Sequence, residues 1–126
     1  MTNLPTSAPL AQRALTSAGL TSYYAEDVGN SWLVVGADAD TAAPGFPAEN
    51  GGSHAVLYLY NPARDSLTVD DEPAPGLEWH VLTSDHEGRE TLAAVLPHDE
   101  LANAVSVIRW WVQARRYEAR RDQSQL

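Results

Sequence analysis

Apolar positions along this chain change their period twice. In "SAPLAQRALTSAGL", residues 7–20, Leu10, Ala11, Ala14, Leu15 and Ala18 fall on one face at 100° per residue. That spacing predicts a helix over residues 7–18. Ser7 is the expected N-cap, and Pro9 sits in the first turn, where a missing N–H does no harm. Gly19 supplies the left-handed position after the last turn, and Leu20 can fold back onto it. A face of such small residues suits close packing on a sheet.

From residue 21 to 96 the period is two. "SYYAEDV", the turn "GN" and "SWLVVGAD" read as a strand, a tight turn and a second strand. Residues 36–53, "GADADTAAPGFPAENGGS", show no period and are rich in Gly, Pro and Ala, so a long loop is expected there. "HAVLYLY" and "SLTVD" form the third and fourth strands around the turn "NPARD". After the break "DEPAPG", "LEWHVLTS" and "ETLAAVLP" are the fifth and sixth, joined by "DHEGR". Connections this short favour antiparallel neighbours.

The helical period returns at "PHDEL", with Asp99 or His98 as the cap, acids in the first turn and arginines in the last. Leu101, Ala104, Val105, Ile108, Trp111 and Val112 share one face and predict its core side. The helix is expected to leave the body near residue 113, so that 113–126 projects. The pattern as a whole predicts a single α+β domain over residues 1–126. It consists of an N-terminal helix, an antiparallel meander of about six strands, and a long C-terminal helix packed on one sheet face.

The opposite side of the last helix changes the picture. Trp110 and Tyr117 are seven residues apart and share a side, while Arg109, Arg116 and Arg120 run along its flank. A tryptophan facing away from the core stripe is either covered by another element of the chain or offered to a partner. Trp, Tyr and Arg are the types enriched at interface hot spots.

Charge sharpens that contrast. The chain carries a formal net charge of −9, and residues 109–126 hold five of its eight arginines, all of its basic residues being arginine. Residues 1–108 have three arginines against fifteen acids, a net of −12; residues 109–126 have five against two, a net of +3. The acidic body disfavours nucleic acid and anionic membrane as partners. The basic helix is expected to meet acidic protein, either the chain's own "DDE" at 70–72 or the acidic face of a second copy.

Candidate chemistry is sparse. With no cysteine, disulfides and thiolate-bound metals are excluded. No apolar run approaches a membrane span and no signal segment is visible, so a cytoplasmic protein is expected. Glu78 and His80 are two apart on a strand and share the face opposite Leu77, Trp79 and Val81, where they could act as an acid–base pair or bind a ligand. Turn chemistry explains His86 and capping explains His98, while the partners of His54 cannot be read. "DADT" at 38–41 lacks the glycine and glutamate of a calcium loop, and "GG" at 51–52 is followed by no lysine. No catalytic residue, metal or cofactor is expected.

These features favour a non-enzymatic protein–protein interaction module, a self-associating adaptor or regulatory protein working through Trp110, Tyr117, Arg109, Arg116 and Arg120 as a homodimer. One alternative is a small-ligand binder or enzyme on the sheet face near Glu78 and His80, with the long loop closing over it. A further alternative is an accessory nucleic-acid binder using the last helix.

Overall fold

The computed structural model describes residues 6–37, 53–85, 87 and 89–124, with side chains as far as residue 118. The order of elements is α1 (Ser7–Ser17), β1 (Ser22–Asp27), β2 (Asn30–Gly36), β3 (His54–Asn61), β4 (Ser66–Thr68), β5 (Glu78–Ser84), β6 (Glu90–Pro97) and α2 (Leu101–Ser124). All six strands belong to one antiparallel sheet, and both helices lie on the same face of it. This is the expected α+β architecture.

The meander is displaced at one place. The strand order is β1-β2-β3-β5-β6, and β4 pairs with β3 outside that path. On β3, residues 54–57 pair with β2 and residues 59–61 pair with β4, while β5 pairs along residues 54–60. The short β4 therefore continues the β2 edge and leaves the other edge of β3 to β5. Side chains join β2 to β4: Ser31 Oγ lies 2.9 Å from Thr68 Oγ1 and accepts the Val69 N–H at 2.9 Å. That bond takes Val69 out of the ladder, so the fourth strand ends at residue 68 and not 70.

The helix face of the sheet carries the core. Leu33, Val35, Leu57, Leu59, Trp79 and Val81 are buried there against Ala11 and Leu15 of α1 and Ala104, Ile108 and Val112 of α2. The Trp79 indole N–H would be orphaned by such burial, and it donates to the His98 carbonyl at 2.8 Å.

Three local expectations are corrected. Thr6, not Ser7, is the N-cap of α1, and it makes no side-chain cap. The free N–H groups of Ser7 and Ala8 donate to the carbonyls of Asp71 and Val69 at 2.8 and 2.6 Å, and the Ser7 hydroxyl also donates to Asp71. A neighbouring segment caps this helix. The β1–β2 turn is Val28-Gly29, one residue earlier than expected, because Asn30 pairs with Asp27 and belongs to the strand. Glu100 immediately precedes α2, so the acids stand before its first turn and not inside it. A turn over 97–100, closed by the Glu100 N–H on the Pro97 carbonyl and held by Trp79 at His98, delays the start.

The end of α1 follows the expectation. Gly19 has φ +82°, Leu20 donates to the Leu15 carbonyl and Gly19 to that of Thr16, and Leu20 is buried. Most of the 36–53 connection lies outside the described residues. Its base is closed by the Ala37 N–H on the Ser53 carbonyl at 3.0 Å.

Candidate functional site

Two surfaces gather the residues singled out above. The first is the outer side of α2. Its inner side buries Ala104, Val105, Ile108 and Val112, with Leu101 and Trp111 packed at the margin. Seven residues along a helix are nearly two turns, so Trp110 and Tyr117 point the same way about 10 Å apart along the axis. Trp110 is 73% exposed and Tyr117 61% exposed. Among the described residues, no element takes either ring into the core.

The arginines divide. Arg109 is exposed and has no ion-pair partner among the described residues. Arg115 lies over the Trp111 ring at 5.6 Å and reaches Glu118 at 3.5 Å. Arg116 donates from Nε to the Ala37 carbonyl at 2.8 Å, which anchors α2 to the end of β2 beyond residue 113. The Arg120 side chain lies outside the described residues. Among the described residues no ion pair joins Asp70, Asp71 or Glu72 to α2. Asp70 instead accepts the Tyr24 hydroxyl at 2.7 Å, a bond that pushes the Tyr24 phenol up to about 12.

The second surface is the sheet face turned away from the helices. Register places Val34, Val56 and Leu82 in one cross-strand row with Tyr23 and Leu92, while Tyr58, His80 and Val95 form the next. A sheet face that packs on no helix and meets water ordinarily carries polar side chains, yet Val34 and Tyr58 on this one are buried. This one is largely apolar and aromatic.

Glu78 and His80 lie on that face, with Trp79 and Val81 turned inward. His80 Nε2 is 3.4 Å from Glu78 Oε1. Its ring packs against Tyr58 and Tyr60, with centroids 5.4 and 4.7 Å away, and the Tyr60 hydroxyl donates to Asp65. No group of three His, Asp or Glu side chains converges among the described residues.

Beside this pair lies a concavity of about 370 Å³, lined by Asp27, Asn30, Trp32, His54, Val56, Tyr58, Leu67, Leu82 and Glu90. Burial, and secondarily the charge of Glu90, raises the Tyr58 phenol pKa. Tyr58 is the ring shared by the His80 cluster and the concavity. The sequence alternative of a ligand site on this face centred on Glu78 and His80, but neither residue lines the hollow, and its actual lining was missed although a signal was there. In "SWLVV" and "HAVLYLY" both alternate sets of positions are apolar, which indicates strands with two covered faces.

Compared with protein-family models, curated proteins and solved structures, the chain matches none. Functional inference therefore rests on the two surfaces alone. Among the described residues, no helix is long and apolar enough to cross a membrane.

Proposed function

We propose that this protein is a non-enzymatic interaction module that self-associates, the outer side of α2 docking on the acidic body of a second copy. The observation that carries it is the pair Trp110 and Tyr117, both mostly exposed on one side of a helix whose other side is fixed in the core. Aromatic side chains held on a rigid element bind with little loss of conformational freedom. Arg109 beside them supplies a cation that has no ion-pair partner among the described residues. The net +3 of residues 109–126 against the −12 of the remainder makes a second copy a fitting occupant. A two-fold arrangement would use both complementary contacts at once.

Sedimentation of the whole protein and of the Trp110→Ala/Tyr117→Ala variant tests this. The expected result is a concentration-dependent dimer that the double variant reduces to monomer with melting nearly unchanged. A wild-type protein that is monomeric at every concentration and ionic strength overturns it. So does a double variant that dimerises as well as the parent, since another surface would then be responsible.

A further inference from the structure

We infer that the concavity on the sheet face turned away from the helices binds a small organic cation with an apolar body, such as an aromatic amine or quaternary ammonium. This site is on the face opposite α2 and does not depend on self-association. Its volume of about 370 Å³ falls within the range of small-molecule sites. Three features set the ligand class.

The wall comes first. Val56, Leu67 and Leu82 supply aliphatic surface, and Trp32 and Tyr58 supply aromatic rings. Apolar surface of this kind gains from covering the carbon body of a ligand. The faces of the two rings attract a cation within about 6 Å of their centroids, Trp most strongly.

The charges come second. Asp27 and Glu90 line the hollow, on the edge strands β1 and β6, and neither has an ion pair among the described residues. Among the described lining residues the basic side chain is the His54 imidazole and there is no arginine, so an anionic ligand would meet two carboxylates with no permanent cation to offset them. A neutral apolar ligand would take water from those carboxylates without replacing it, which is costly. A cation does neither.

The surrounding field comes third. The body of the protein carries −12 over residues 1–108, and a cleft in a low-dielectric wall concentrates counter-ions of the opposite sign. Recognition is thus expected to be additive: carbon body on the wall, positive head toward a carboxylate or an aromatic face.

Three probes of one shape class test the assignment: benzyltrimethylammonium, benzyl alcohol and benzoate. Each is titrated into the full chain by calorimetry, with the Trp32 indole N–H resonance as a local reporter. Benzyltrimethylammonium is expected to bind and to move that resonance, with the other two at least about tenfold weaker, a difference of about 1.4 kcal/mol. The exposed acids permit a variant that should fold normally. Asp27→Asn with Glu90→Gln is expected to weaken the cation about tenfold while leaving melting and oligomer size unchanged. The inference is overturned if benzyltrimethylammonium does not bind at millimolar concentration. It is equally overturned if the neutral or anionic probe binds as well, or if the double variant binds the cation as the parent does. Loss of dimerisation alone bears only on α2.

Discussion

Val28 occupies a backbone conformation that β-branched residues avoid. Its φ is +46° in the two-residue turn of the β1–β2 hairpin, followed by Gly29 at +81°, and its side chain is 94% exposed. Such turns favour Asn-Gly because both central residues need positive φ. Left-handed backbone costs an ordinary residue about 1–2 kcal/mol, and Val28 recovers nothing by burial. Val28→Asn is therefore expected to raise stability by about 1 kcal/mol, seen as a higher denaturant midpoint with unchanged slope. Tyr24 gives a second residue-scale expectation. The hydrogen bond to Asp70, with burial adding to it, raises its phenol from 10.0 to about 12. A raised pKa means that the folded state favours the neutral phenol. That stabilisation is complete below pH 10, the unfolded value, and disappears as pH rises through 12. Unfolding midpoints measured across that window should fall with pH, and Tyr24→Phe should flatten the fall. An equal slope in the variant would place the alkaline sensitivity in the other raised phenols, Tyr23, Tyr58 and Tyr60.

At the scale of elements, α2 has two sides with opposite sensitivities. Ile108 is fully buried, and Ile108→Ala is expected to cost about 2–5 kcal/mol by leaving a cavity. Trp110→Ala and Tyr117→Ala, taken in the monomer, should each change stability by no more than about 0.5 kcal/mol. Thermal melts of the three variants make the comparison, and a large loss at Trp110 would show that its ring packs within the chain. This two-sidedness was legible from the wheel because a long helix repeats its pattern often enough for each stripe to stand out. The inner stripe of Ala104, Ile108 and Val112 is the buried one. The six strands were legible for the same reason: alternation and turn residues are local signals. What was not legible is non-local. Nothing in "SLTVD" announces that Ser31 will take the Val69 N–H and cut β4 to three residues. The cap of α1 was equally hidden, since its acceptors lie more than sixty residues away at Val69 and Asp71. The lining of the concavity escaped because it comes from all six strands, and only the register brings Trp32, Tyr58 and Glu90 to one face.

At the scale of the molecule, the charge is divided between an acidic body and a basic C-terminal segment, and this division decides how the proposed association should respond to salt. Residues 1–108 carry −12 and residues 109–126 carry +3, yet among the described residues the hydrogen bond or ion pair that joins an α2 arginine to the body is Arg116 on the neutral Ala37 carbonyl. Among the described residues the two signs are therefore largely uncompensated. Two like molecules of net charge −9 repel at long range, and only an orientation that brings a basic helix to an acidic face reverses the sign locally. Salt acts on both terms, but not equally. Screening over about 8 Å at physiological ionic strength removes the diffuse repulsion and leaves a close charge contact partly intact. Aromatic area that a second copy would bury at Trp110 and Tyr117 is indifferent to moderate salt. Two outcomes separate these mechanisms. If the basic flank supplies the attraction, the dimer weakens steadily as salt rises and Arg109→Glu abolishes it at low salt. If the aromatic pair supplies it, moderate salt strengthens the dimer by relieving net repulsion and Arg109→Glu has little effect. The charge pairing proposed here requires the first, because Arg109 lies beside Trp110 and would meet the acids of a second copy at the edge of the same contact. Sedimentation across a salt series, run on the parent and on Arg109→Glu, reads the sign directly, and a dimer that tightens with salt would detach the arginine stripe from the interface while leaving Trp110 in it.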